Sequence, residues 1–440
     1  MFTNILGKGY EMIVLQILEY YNAKGGLGTH VNHLSNTLNN FDIDTIIIAL
    51  QSQYESGWDG YNSKVLWIKM DKRYNYSMGE KRNYSDELSL LETKIMEIYE
   101  LLLMRVDHVD IINAHSDRCY SIGVPLASAL GCPSVLTLHG SHFYYPLSRC
   151  MNCSKAEIGL ICNECEHISK SDYLVAKLYF FRKKISLIAS DRVFVLNSRT
   201  YDLCTKYYGI NQEKVSLIKH WVDIPSEKTL EILHLQGRNK WIQGIDNNDN
   251  RVILWVGAER EHKRLDIVLQ AFDMLHREDD RINLWLVGIS DRYFLNKSNG
   301  LSQKCMQRIH CIGTLNSDEL SQVYAAANCL WLPSIWEAAS YIFLEALAYR
   351  LPVIASEGSN QKDFLFDEEN VLLIPKNNSV ALAEKTKELF HSNQKIERIK
   401  RHGTAYLYNN HDVLSCSAHI INEYLKTIKI YKKQRHFTVI

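Results

Sequence analysis

At 440 residues the chain is longer than one hydrophobic core usually organises, so two domains are expected. Fifty basic and fifty acidic residues cancel, which leaves no overall field to draw the chain to nucleic acid. Hydrophobic residues make up 46%, enough for packed cores, yet no apolar run approaches the roughly 18 residues of a membrane span. Residues 1–10 carry Gly, Lys and Asn where a signal peptide would be apolar. The expectation is therefore a cytoplasmic protein, with residues 1–11 of little structural weight.

Taken in chain order, short apolar runs alternate with helical patterns, as in parallel strands covered by helices on both faces. The first series predicts strands at 12–18, 44–50, 110–113, 134–138 and 192–196. Behind the first strand stand Gly25-Gly26-Leu27-Gly28-Thr29-His30. Such a turn lets backbone approach a ligand and aims free helix amides at it, which suits a phosphate or an acceptor hydroxyl. His139 follows the strand 134–138, and His115 ends the run before it. Both are placed at the carboxyl edge of a first Rossmann-like sheet.

Cys150, Cys153, Cys162 and Cys165 form two CxxC pairs with eight residues between them. Four thiolates in that pattern suit a structural, tetrahedral Zn(II), with reduced thiols as the other reading. The segment 173–188 places Leu174, Leu178, Phe181 and Ile185 at helical spacing among lysines and arginine. It is expected to pack on the sheet; an anionic bilayer surface is the alternative.

A second series follows an Asn- and Asp-rich stretch, with strands predicted at 251–256, 283–287, 310–312, 329–332, 352–355 and 371–374. Two doubly wound halves of this kind place a ligand cleft at the carboxyl ends of their sheets. After the first of these strands come Arg260, Lys263 and Arg264, cations positioned to neutralise a diphosphate leaving group without a metal. Further on, Pro333-Ser334-Ile335-Trp336-Glu337 leads into a helix that carries Glu345, eight positions beyond Glu337. Two carboxylates so spaced can each accept hydrogen bonds from hydroxyls of one ligand, as a sugar and a ribose offer.

In this order the segments resemble the retaining family-4 glycosyltransferases of GT-B fold, over residues 12 to 425. The resemblance implies an amino-terminal acceptor-side domain at 1–220 with a Cys-rich insertion near 141–171, a nucleotide-sugar domain at 221–412, and a helix at 413–440 returning to the first. It implies that Glu337 positions the transferred sugar, Glu345 holds the ribose, and His139 contacts the sugar ring. Gly26 and Gly28 would lie under the donor diphosphate, with Lys263 and either Arg260 or Arg264 stabilising its charge. Gly358 and Ser359, in a Gly-rich loop, would present amides to the donor. Partners would be a nucleotide diphosphate sugar and a sugar or lipid-linked sugar acceptor, with peripheral contact at the inner face of the membrane. No catalytic metal is expected. Polysaccharide or glycoconjugate synthesis is the implied setting.

Two departures stand out. Ala258 occupies the position where the family usually has arginine, and His220-Trp221 replace the small turn residues before Val222-Asp223. The first favours, as alternatives, a nucleotide-sugar-binding protein with weak or no transfer. A sugar-nucleotide 2-epimerase shares the fold but would need other carboxylates, and a phosphorylase would need a lysine-bound pyridoxal phosphate for which no motif is present.

Overall fold

The computed structural model describes residues 12–19, 21, 26–51, 53–60, 63–70, 84–139, 170–241, 251–337, 339–357 and 362–438, with 84–92, 117–118, 170–179 and 436–438 as backbone only. The chain divides into two compact units. One ends at Ile218 and takes back Leu414–Ile440, and the other spans Lys219–Val413.

The first unit is built on an eight-stranded sheet: β1 (Met12–Glu19), β2 (Ile43–Gln51), β3 (Gly57–Trp58), β4 (Val65–Lys69), β5 (Ile111–Ala114), β6 (Ser134–Leu138), β7 (Arg192–Val195) and β8 (Val215–Leu217). Its order is β3-β4-β2-β1-β5-β6-β7-β8. All pairings are parallel except the edge pair of β3 and β4. Strands buried on both faces explain the largely apolar sequences of β1 and β2. On one face Ile17, Ile112 and Leu136 pack with Tyr120, Ile122 and Leu126 of the helix Asp117–Leu130, each such side chain contributing about 1.5–3 kcal/mol.

The other face receives the last helix, Val413–Thr438. Asn113 donates from Nδ2 to the Tyr424 hydroxyl at 2.7 Å, and accepts from Thr137 Oγ1 at 2.7 Å. Arg192, 3% exposed, donates to Glu423 at 2.7 Å, Thr427 at 2.7 Å and Ser216 at 2.9 Å. A buried guanidinium is tolerable only when its donors are satisfied in this way.

The helix Lys170–Ala189 turns Lys183 and Leu187 inward but leaves Phe181, Ile185 and Ile188 at 57%, 64% and 50% exposure. The core expectation for Phe181 and Ile185 is thereby corrected. The buried stripe runs through Phe180, Lys183 and Leu187, one step round the helix, where Phe180 meets Tyr208. No helix among the described residues is long and apolar enough to cross a membrane.

The second unit carries a six-stranded, fully parallel sheet of β9 (Arg251–Val256), β10 (Ile282–Val287), β11 (Ile309–Gly313), β12 (Cys329–Leu332), β13 (Val353–Ser356) and β14 (Leu372–Ile374), ordered β11-β10-β9-β12-β13-β14. The order reverses between β9 and β12, the switch point at which open sheets of this type bind ligands. Trp255, Trp285 and Trp331 fill its two faces. The helix Glu227–Trp241 lies against the helix Ser317–Ala326 so closely that a Cβ on Gly237 would fall 2.3 Å from the Gln322 carbonyl oxygen. That contact admits only glycine.

Candidate functional site

At the switch point of the second unit, two loops are joined side by side. The first leaves β9 at Gly257 and Ala258, turns through a short 3-10 segment at Glu261–Lys263, and enters the helix Leu265–Glu278. Its base is held by glycines. Gly288 has φ +94, and a Cβ there would meet the Gly257 carbonyl oxygen at 2.5 Å. The Trp255 indole N–H donates to the Lys263 carbonyl at 3.3 Å and supports the turn from below.

The second loop, 333–337, leaves β12 and is stitched to the first in three places. Ile335 N–H donates to the His262 carbonyl at 2.9 Å. The His262 ring stacks on Trp336 with centroids 3.9 Å apart at 18°. Finally the Lys263 ammonium pairs with the Glu337 carboxylate, at side-chain exposures of 13% and 11%. Burial, with the charges of Lys263 and Arg260, pushes the His262 imidazole down to about 3. It is thus a neutral spacer, and the cation that Glu337 meets is Lys263.

The two arginines of the first loop differ. Arg264, at φ 54 and 8% exposed, gives its guanidinium to Asp266 in two contacts of 2.8 and 2.6 Å and also donates to Asn377. Its charge is committed inside the unit. Arg260 stands exposed, so of the pair it is the one with charge to offer a ligand. Ala258 contributes none.

Glu345 lies in the helix Tyr341–Ala348, whose start is capped by Ser340. Its Oε2 accepts from the Tyr324 hydroxyl at 2.8 Å. Burial raises its carboxyl above the ordinary range, and the Tyr324 hydrogen bond opposes that rise. Close by, at the ends of β12 and β13, the hydroxyls of Ser334 and Ser356 are buried with no partner among the described residues. Gly358 and Ser359 lie outside the described residues.

In the first unit, Gly26 and Gly28 open the helix Gly26–Asn39 directly behind β1. His115 and His139 follow β5 and β6, and His115 Nδ1 lies 2.9 Å from His139 Nε2. Burial pushes His139 down to about 3, which leaves a neutral ring able to hydrogen-bond a hydroxyl. His30 of the same helix lies against it, with centroids 4.8 Å apart. Cys150, Cys153, Cys162 and Cys165 lie outside the described residues.

Sequence reasoning brought Lys263 and Glu337 into one site without seeing that they touch. It passed over Tyr324, Trp336, His262 and His30. For His30 a signal existed, a polar residue on the inward face of a helix opening from a glycine turn; for Tyr324, whose partner is distant in sequence, none did.

Two family models cover most of the chain: glycosyltransferase family 4 matches residues 24–225, and glycosyl transferases group 1 matches 237–406. An uncharacterised glycosyltransferase of Methanocaldococcus jannaschii is 23% identical over 407 residues, 90% of this chain and 94% of its own length. Among solved structures, sucrose-phosphate synthase from Thermosynechococcus elongatus superposes with a TM-score of 0.73 at 15% identity, covering 96% of this chain and 100% of that one. Anabaena HepE, solved in complex with UDP and glucose, gives 0.66 at 16% identity over 94% and 100%.

Proposed function

Since the chain belongs to the family-4 glycosyltransferases and has the GT-B fold, we propose that it moves a sugar from a nucleotide diphosphate to an acceptor hydroxyl with retention at the anomeric carbon. The observation that carries this reading is the direct pairing of Lys263 with Glu337 at the switch point, eight positions ahead of Glu345. Lys263, helped by Arg260, would take the diphosphate charge; Glu337 would accept from hydroxyls of the sugar, and Glu345 from those of the ribose. The HepE complex with UDP and glucose supports a donor of this class. His139 is assigned to the sugar ring.

In the proposed reaction the anomeric carbon loses its bond to the diphosphate oxygen and gains one to the acceptor oxygen on the same face. The departing diphosphate takes the acceptor proton. The protein then contributes position and fixed charge, and no enzymic nucleophile is required. The acceptor is proposed to be a sugar or lipid-linked sugar, and the outward Phe181, Ile185 and Ile188 support peripheral contact with a bilayer at the inner face of the membrane.

A second reading, a binding protein without transfer, is favoured by Ala258 and by the neutralisation of Lys263 within its own unit. Released nucleoside diphosphate, measured over a panel of nucleotide sugars with and without sugar acceptors and in the presence of EDTA, separates the two. Acceptor-dependent release that survives EDTA and falls about 100-fold or more in Lys263→Ala is expected. A strict need for added divalent ion, or full turnover in that variant, would sink the mechanism; binding with no release from any donor would establish the second reading.

A further inference from the structure

The carboxyl edge of the first sheet holds three imidazoles that the transfer reading does not account for together. His30 comes from the helix behind β1, His115 follows β5 and His139 follows β6, so three neighbouring strands deliver one ring each. A ring nitrogen from each lies within 4.8 Å of the others. His30 and His115 are buried and His139 is half-buried, so the cluster is enclosed yet reachable from one side.

His115 Nε2 lies 2.6 Å from Gln16 Oε1. An amide oxygen can only accept, so Nε2 carries the hydrogen and the Nδ1 lone pair faces the cluster. That Nδ1 is 2.9 Å from His139 Nε2. Two nitrogens bound to one tetrahedral ion at about 2.0–2.1 Å are held roughly 3.3 Å apart. Opening the pair by a few tenths of an ångström would therefore admit an ion, once His139 moves its hydrogen to Nδ1. A carbonyl oxygen on the far nitrogen is the outer-shell support that metal-ligating histidines commonly have.

We propose that His30, His115 and His139 form a binding site for a late first-row divalent cation of the zinc class, with the fourth position left to water or another oxygen ligand. Three imidazoles select zinc, cobalt or nickel over magnesium and calcium. Because the ion would take a nitrogen of His139, the residue assigned above to the sugar ring, it would act as a competitor at this edge and not as a cofactor. The site itself does not depend on the transferase reading.

The full-length protein, freed of metal with EDTA, is titrated with Co(II) and followed by visible absorption. Thiolate ligation adds an intense sulfur-to-metal charge-transfer band that imidazole ligation lacks, so binding at Cys150, Cys153, Cys162 and Cys165 is read separately. One imidazole-type equivalent per chain is expected, displaced by Zn(II) and not by Mg(II). Affinity there should fall about 10- to 100-fold in Gln16→Leu, which loses the outer-shell oxygen but none of the three imidazoles, and further in His30→Ala. Melting curves and nucleoside diphosphate affinity check that His30→Ala is folded; should it not be, Gln16→Leu decides. A spectrum of thiolate type alone, or unchanged affinity in Gln16→Leu, overturns the proposal. Neither outcome touches the transferase reading, since no turnover is measured.

Discussion

Replacing Glu337 by glutamine should tighten the binding of free nucleoside diphosphate while lowering turnover. Without ligand, the Lys263 ammonium is engaged by the Glu337 carboxylate, and both side chains are almost nine-tenths withdrawn from water. A diphosphate that recruits Lys263 must share it with that carboxylate, and must approach a second negative charge. Hydrogen bonds to charged groups are worth about 1.5–3 kcal/mol, and 1.4 kcal/mol is roughly a factor of ten in affinity. Glutamine keeps the shape and removes the charge, so the release of Lys263 should appear as a gain of about tenfold or somewhat more. Calorimetry with UDP, GDP and ADP at neutral pH measures it. Turnover should fall because the sugar loses a charged acceptor. An unchanged or weakened affinity in Glu337→Gln would refute the idea that the lysine is held in reserve for phosphate.

Glu345 gives a pH test: burial raises its carboxyl above the usual range, so affinity that needs the ionised form is full above that raised value and is lost as pH falls through it. In Tyr324→Phe the hydrogen bond that opposes the rise is gone, and calorimetry across pH should show the loss beginning at higher pH. Elemental analysis of protein purified under reducing conditions should find about one zinc per chain fewer after joint Cys150→Ser and Cys153→Ser substitution, with nucleotide affinity kept; four freely titrating thiols and an unchanged zinc content would contradict it. Gly237→Ala should lower the melting temperature, since its Cβ would fall 2.3 Å from the Gln322 carbonyl oxygen, a clash costing about 1–3 kcal/mol.

The second sheet was the more legible. Its strands are runs such as Val252 to Val256 and Cys329 to Leu332, buried on both faces and bounded by polar turns, so apolar content alone marks them. In the first unit β3, β4 and β8 were missed. β3 is two residues long, and β8 runs buried, half-buried, exposed over three, which leaves no periodicity to detect. β4 did carry a signal, Val65-Leu66-Trp67-Ile68, that was passed over. At the site, spacing placed Glu337 and Glu345 correctly relative to strand and helix. Which arginine is available was only partly legible: Arg264 pairs with Asp266, two positions on, a signal that was there to read, and also with Asn377, more than a hundred positions away, which sequence distance hides.

The return of the last helix bears on the order in which this protein can be made. The described part of the second unit lies within Lys219–Val413 and can be completed while the chain is still being synthesised. The first cannot: Asn113 waits for Tyr424, and Arg192 for Glu423 and Thr427. Until residues near 427 leave the ribosome, the face of the earliest sheet that the last helix covers stands open to water, and Arg192 lacks its carboxylate partner. The unit begun first is therefore finished last, and nascent chains cut off before the final helix should be the ones that quality control removes.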